Sequence, residues 1–299
     1  MSIAVSTPMP VTPFNGGPCA ACGAGMRAGR AVGPVNGHQL HRCEACGLAY
    51  VFPKPTSEAL DSLYDGFHTD TGQMDLSESG ERELFEHVLD RVHASSGSGE
   101  LLDIGASYGH FVALAGARGF VARGIEPAAD AARYAGDVLR VDVGQQDLFT
   151  ARFPAGRFDA VTLLNVLEHM PDPYAALREI RRITRPGGVL AVVVPSLVPT
   201  YWWFRATRAI GLLSPVPTSA FHVPYHLTLF SPRTLAALLE SAGLEVAELT
   251  AAPVIINRNP IKTVAKRVAL AVSDGLQALT AGRFIISYSI FALARRPIE

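Results

Sequence analysis

The chain has 299 residues, 48% hydrophobic and 18% charged, enough for a large core and unlike a disordered protein. Its 26 Lys and Arg against 27 Asp and Glu leave a net charge of −1, which argues against an architectural DNA binder. The balance is uneven: from Tyr201 onward ten basic residues face five acidic ones, a bias toward an anionic substrate or a membrane surface.

Met1 to Pro18 holds four prolines and no Lys or Arg, so it reads as a disordered tail and not as a basic-then-apolar leader. A cytoplasmic location is the resulting expectation. Residues 19–55 are short, Gly-rich and carry all four cysteines, a composition in which a metal substitutes for a core. Residues 56–97 read as a helical linker, with one helix over Ser57 to Phe67 and a second over Glu81 to His93. The run Ser95 to Gly99 is a Ser/Gly hinge.

Beyond the hinge, strands and helices alternate. Strands are expected at Leu101 to Ile104, Val121 to Ile125, Phe158 to Leu164 and Val189 to Val194. Helices are expected near 109–118, 127–138 and 173–184, the last stopped by Arg185-Pro186-Gly187-Gly188. This order predicts βαβ units and a parallel sheet covered on both faces. A helix over Pro232 to Ala242, a strand over Leu244 to Leu249 and a last strand over Ile285 to Ala294 follow. The window Gly187 to Phe204 lacks charge but is broken by Pro195 and Pro199, so it reads as a strand and loop, not a membrane span. Ile261 to Leu279 carries apolar residues at helical spacing between Arg258, Lys262, Lys266, Arg267 and Arg283. It is either a core helix or a peripheral contact with the inner face of a membrane.

Cys19-x-x-Cys22-Gly23 and Cys43-x-x-Cys46-Gly47 are two knuckles separated by twenty residues. Each lets two thiolates reach one ion, and four sulfurs close a tetrahedral shell, the pattern of a structural Zn2+ ribbon with no position open for catalysis. His38 and His41 are nearby alternatives as ligands and fit better as supporting residues.

The segment Leu101-Leu102-Asp103-Ile104-Gly105-Ala106-Ser107-Tyr108-Gly109 places small residues after the first strand, where a ligand approaches the open end of a parallel sheet. Glu126 stands twenty-one residues after Gly105 and is suited to the two hydroxyls of a ribose. Asp103 would repel a diphosphate but suits a cationic amino-acid group. Asn165 ends the third strand within the same crevice.

Together with ARGIEPAADAARYA, QQDLF, GRFDAVTLLNVLEHMPDP, LREIRRITRPGGVLAVVVPS and YHLTLFSPRTLAALLESAGLEV, this segment resembles the class I S-adenosylmethionine-dependent methyltransferases, in their ubiquinone-type branch. CGLAYVFPKPTSEALDSLYDGFH is similar to bacterial proteins that fuse a zinc ribbon to that domain and accompany glycan, glycolipid or secondary-metabolite pathways. The resemblance implies an α/β fold: a Rossmann-like seven-stranded sheet with an antiparallel last strand, over residues 98–299, preceded by a small zinc-ribbon domain. It also implies that Gly105 and Gly109 line the methionine part of S-adenosyl-L-methionine, with Asp103 nearby. Glu126 would hold the ribose, Asp147 the adenine amine, and Asn165 the region beside the sulfonium. Ser107 stands where the family has its middle glycine.

A hydroxyl acceptor benefits from a general base, for which His169, His222 and His226 are candidates, His226 and His169 foremost. Residues 196–230 are expected to form a substrate lid, with Trp202, Trp203 and Phe204 beside Arg205 and Arg208. The leading expectation is O-methylation of a small-molecule or lipid-linked glycan acceptor. A zinc-ribbon RNA methyltransferase and a non-catalytic scaffold on the same fold are the alternatives. From Cys19 to Cys46 the only Lys or Arg residues are Arg27, Arg30 and Arg42, a poor nucleic-acid surface.

Overall fold

The structure, a computed structural model, describes residues 11–12, 19, 21–24, 30–35, 38–52, 54–55, 81–198, 225–253, 264, 268, 271–273, 275, 279, 285 and 287–298. The expected helix at Ser57 to Phe67 and the central part of the lid lie outside these residues, as do Trp202, Trp203, Phe204, Arg205, Arg208 and His222.

The N-terminal part contains β1 (Val11–Thr12), β2 (Arg30–Val35), β3 (His38–Arg42), β4 (Ala49–Phe52) and β5 (Lys54–Pro55). Val11–Thr12, within the stretch expected to be a tail, pairs antiparallel with Lys54–Pro55. After it come α1 (Arg82–Ser96), β6 (Glu100–Ile104), α2 (His110–Ala117), β7 (Val121–Ile125), α3 (Ala129–Tyr134), a π-helical turn at Ala135–Leu139 and β8 (Val143–Gly144). The chain continues through β9 (Phe158–Leu164), a 3-10 turn at Leu167–His169, α4 (Pro173–Ile183) and β10 (Thr184–Pro195). It ends with β11 (Thr228–Leu229), α5 (Pro232–Ser241), β12 (Glu245–Ala251) and β13 (Ser289–Arg295).

Seven strands form one sheet in the order β12-β13-β10-β9-β6-β7-β8. Only β13 runs against its neighbours; the β10–β9, β9–β6, β6–β7 and β7–β8 pairs are parallel. Residues 189–194 of β10 are all buried, because helices cover both faces of the sheet. The chain leaves β6 toward β7 and β8 and then returns to β9 on the other side of β6. That reversal opens a crevice at the carboxyl ends of β6 and β9.

Helix α1 was expected to be a linker and is instead part of the α/β layer. Its Leu84, Phe85, Val88, Leu89 and Val92 are buried against Leu101, Phe111 and Phe291. Each fully buried Leu or Val contributes about 1.5–3 kcal/mol, which favours packing α1 on the sheet over leaving its stripe in water. Helix α4 starts where Asp172 accepts the Ala175 N–H at 2.9 Å ahead of Pro173, and α5 starts with a Ser231–Thr234 capping box. Among the described residues no helix is long and apolar enough to cross a membrane. Of the Ile261 to Leu279 stretch, Val264, Val268, Val272 and Leu279 are exposed while Ser273 is buried. Those apolar positions therefore do not belong to the core.

The ribbon sheet, in the order β11-β4-β3-β2, borrows its edge strand from far along the sequence. Thr228 and Leu229 pair with Tyr50 and Ala49. Cys19, Ala21, Cys43 and Leu48 are buried in the same apolar cluster as Leu167, Phe230 and Leu235.

Candidate functional site

The turn after β6 is tight and left-handed. Gly105, Ser107 and Gly109 have φ of 73°, 48° and 83°. A Cβ on Gly105 would stand 2.5 Å from Val166 Cγ2, and one on Gly109 would stand 2.8 Å from the Ala135 methyl. Both glycines are therefore required by conformation and by space. Glu126 follows β7 with both carboxylate oxygens engaged: Oε2 accepts the Ser107 N–H and Oε1 the Ala128 N–H, each at 2.9 Å.

Asp103, on β6, is buried and accepts a hydrogen bond from the Thr162 hydroxyl of β9 at 2.6 Å. Burial pushes its carboxyl up to about 7; the charge of Glu126 adds to the rise and Thr162 opposes it. Asn165, at φ 57°, turns the chain out of β9; asparagine tolerates this left-handed conformation better than most residues. Asp147 is exposed in the loop after β8. Its Oδ1 accepts the Phe149 and Thr150 N–H groups at 2.8 and 3.0 Å, and its Oδ2 accepts the Thr150 hydroxyl at 2.6 Å. Burial works against its charge, but these donors outweigh it and hold the carboxyl below its usual range.

A second group lies just past Asn165 and Val166. Glu168, His169 and His226 have polar side-chain atoms all within 4.8 Å of one another. Glu168 is 1% exposed and neither carboxylate oxygen has a hydrogen-bond partner among the described residues. Burial pushes its carboxyl up to about 8, so it holds a proton at neutral pH. His169 Nδ1 lies 2.8 Å from the Tyr225 carbonyl oxygen, to which it donates, so the neutral ring keeps its lone pair on Nε2. That nitrogen is 3.8 Å from Glu168 Oε1. The His169 and His226 ring centres are 4.9 Å apart.

The four cysteines also converge. Cys19 and Cys46 sulfurs are 3.6 Å apart, Cys22 and Cys43 sulfurs 3.7 Å. A tetrahedral M–S4 centre with bonds of about 2.3 Å has edges of about 3.8 Å, so the cluster has the right size for one ion. Gly23 and Gly47 follow the knuckles at φ 68° and 87°, left-handed as the tight turns require. Burial raises the Cys19 thiol. At Cys43 burial is overcome by the Cys46 and Ala45 N–H groups, which bring the thiol down to about 7.

A family model described as a methyltransferase domain matches residues 77–249, more than half of the chain. The chain belongs to this methyltransferase family. It is an S-adenosylmethionine-dependent methyltransferase. Among its relatives, Methyltransferase GfsG of Streptomyces halstedii is 31% identical over 205 residues, covering 64% of this chain and 68% of that one. The Ubiquinone biosynthesis O-methyltransferase of Xanthomonas axonopodis pv. citri is 32% identical over 96 residues, 32% of this chain and 39% of that protein. The match thus spans about two fifths of that enzyme. The crystal structure of the [4+2]-cyclase SpnF superposes with a TM-score of 0.54 at 20% identity, covering 83% of this chain and 99% of that one. A possible histamine N-methyltransferase of Thermotoga maritima superposes at 0.51 with 17% identity, covering 79% and 99%. At such identities the superpositions show the fold alone.

Of the sequence-predicted site residues of this methyltransferase, Asp103, Gly105, Ser107, Gly109 and Glu126 form one turn-and-carboxylate unit. Asn165 adjoins it across β9. Asp147 stands apart, its side chain engaged in its own turn. His169 and His226 meet although they come from distant segments. Two residues were missed in the sequence: Thr162, which holds Asp103, and Glu168, whose acidic letter gives no sign of burial. The signal available for Thr162 was its place opposite Asp103 once β6 and β9 are paired.

Proposed function

We propose that this methyltransferase methylates a hydroxyl oxygen of a glycan, glycolipid or secondary-metabolite acceptor, with Zn2+ held by Cys19, Cys22, Cys43 and Cys46 in a structural role. The observation that carries the reading is the Glu168–His169–His226 group beside the cofactor crevice. A His169 ring oriented by the Tyr225 carbonyl, with Nε2 turned toward Glu168 and the His226 ring beside it, is suited to take the proton of an acceptor hydroxyl. Two of the relatives are ubiquinone biosynthesis O-methyltransferases, which is compatible with this choice.

S-adenosylmethionine supplies a methyl group on a sulfonium, a good leaving group for in-line displacement. The chain's own residues then have three tasks. Asp103, in its ionised form, suits the amino group of the cofactor, and Glu126 the ribose hydroxyls, with Gly105 and Gly109 allowing close backbone approach. Asn165 would complete the cradle, while Asp147 stands apart from it, its carboxylate engaged by Phe149 and Thr150. His169 or His226 would accept the proton of the acceptor hydroxyl as its oxygen takes up the methyl group. The protonated histidine would then return its proton to solvent. Alignment of oxygen, carbon and sulfur supplies much of the rate.

The four thiolates leave no ligand position for substrate, which supports a structural and not a catalytic ion. The test is calorimetric titration of S-adenosylhomocysteine into zinc-quantified protein, with Glu126→Ala beside it. Micromolar binding that the substitution weakens, with one zinc per chain, supports the reading. Absence of binding by the folded, zinc-loaded parent overturns it in favour of a scaffold.

A further inference from the structure

We propose that the cysteine ribbon is a positioning element for the acceptor side of the active site, fixing His226 against His169 through a main-chain track from β4 to Leu227 to Glu168. The inference rests on the histidine pair being the proton-accepting side of the site.

The track begins at the metal knuckle. The Cys43 N–H donates to the Leu48 carbonyl at 2.8 Å, and the Leu48 N–H points at Cys46 Sγ at 3.5 Å. The next residue, Ala49, opens β4, so the sulfur cluster and the strand are continuous. The Val51 N–H of that strand donates to the Leu227 carbonyl at 2.9 Å. The Leu227 N–H in turn donates to the Glu168 carbonyl at 2.8 Å. Leu227 is fully buried and spends its N–H on the catalytic turn and its carbonyl on the ribbon. The residues on its N-terminal side do the rest: the Tyr225 carbonyl receives His169 Nδ1, and the His226 ring meets the His169 ring.

The two-residue strand β11 is too short to hold this geometry alone. Its far end is anchored, since the Leu197 N–H donates to the Phe230 carbonyl at 2.7 Å and Ser196 bridges Phe230. Its near end, where His226 stands, leans on β4. A ribbon this small gains much of its folding free energy from its metal, so losing the ion removes the support of β4. The cofactor unit shares an apolar cluster with the ribbon cysteines through Leu102, Ile104 and Ile125, but its polar groups have hydrogen bonds of their own, Ser107 N–H to Glu126 and the Thr162 hydroxyl to Asp103. The two halves of the site should therefore respond differently to the ribbon.

The experiment compares four forms of the full chain: zinc-loaded parent, chelator-stripped parent, Val51→Pro and Val51→Ile. Val51→Pro deletes the donor to Leu227 and touches no cysteine; Val51→Ile keeps it. Zinc content, S-adenosylhomocysteine affinity, Leu227 amide exchange and the His169 and His226 ring signals by NMR are measured on each. The expected result for the stripped parent and for Val51→Pro is cofactor-product affinity within about twofold of the parent, with Leu227 exchanging at least about tenfold faster. The histidine ring signals should move toward those of solvated imidazoles, Val51→Pro should keep its zinc, and Val51→Ile should match the parent. Unchanged Leu227 protection and histidine signals in either altered form would overturn the proposal. So would a parallel loss of cofactor-product affinity, which would make the ribbon a general stabiliser. Failure of the parent itself to bind S-adenosylhomocysteine would overturn the functional reading, while Leu227 exchange would still decide the positioning role.

Discussion

The Ser107 N–H donates to Glu126 Oε2 at 2.9 Å, which joins the left-handed turn after β6 to the carboxylate that ends β7. The Ala128 N–H on the other oxygen makes Glu126 a clamp before any ligand arrives. Truncating it in Glu126→Ala leaves two donors without this acceptor, at about 1–3 kcal/mol for a buried group. The expected outcome is a lower Tm by scanning calorimetry together with weaker S-adenosylhomocysteine binding. An unchanged Tm would mean that water replaces the carboxylate at no cost.

Ser107 holds φ 48° without being glycine. A non-glycine residue pays about 1–2 kcal/mol there, and a glycine returns about 0.5–1 of that through the freedom of the unfolded chain. Ser107→Gly should therefore raise Tm slightly and keep cofactor-product affinity. A clear fall in Tm would reveal that the serine side chain contributes a contact of its own.

Asp103 sets a pH dependence. Its folded-state pKa of about 7 lies above the ordinary carboxyl value, so between the two the folded protein holds a proton that the unfolded chain releases. This group's contribution to stability is then fully present at low pH and falls as pH rises toward 7. Binding a cationic amino group favours the ionised form, so S-adenosylhomocysteine affinity should rise up to about pH 7 and level off above. Calorimetry across that range checks it. Thr162→Val, which removes the opposing hydrogen bond, should move the midpoint upward.

Glu168 behaves in the same sense with a higher midpoint. Its carboxyl is pushed up to about 8, so stability falls as pH rises from the ordinary carboxyl range through that value. Glu168→Gln cannot ionise and should show a flatter profile of Tm against pH, with the variant more stable than the parent above about pH 8. Crossing profiles support a buried neutral acid; parallel profiles would show that the carboxyl is solvated.

His169→Ala and His226→Ala separate binding from chemistry. Loss of a general base costs about 10²–10⁴ in rate, so kcat should fall by that order for whichever histidine accepts the proton. S-adenosylhomocysteine affinity should stay near the parent's. Equal losses in affinity and kcat would assign these rings to the cofactor cradle.

Much of the fold was legible because its signals are local. The alternation from Leu101 to Val194 follows from apolar runs and turn residues a few positions apart. The glycine after each Cys pair announces its own left-handed turn, and Gly105 and Gly109 do the same for the ligand crevice. These features are written in neighbouring letters, so the sequence determined the mostly parallel α/β sheet, the two knuckles and the glycine turn after β6.

What only the tertiary structure decided depends on neighbours far apart in the chain. Burial of Glu168, its raised carboxyl pKa and the meeting of His169 with His226 arise from packing that no periodicity encodes. The same is true of α1, whose apolar stripe fits a linker helix or a covering helix equally well until the sheet is present to receive it. Val264, Val268, Val272 and Leu279 repeat at helical spacing like core residues and are nevertheless exposed. The ribbon looked like a separate module because its cysteines are contiguous in sequence. Pairing of Thr228–Leu229 with β4 shows that its sheet is finished by the methyltransferase domain. Backbone hydrogen bonds carry no residue signature, so only the folded chain could disclose that pairing.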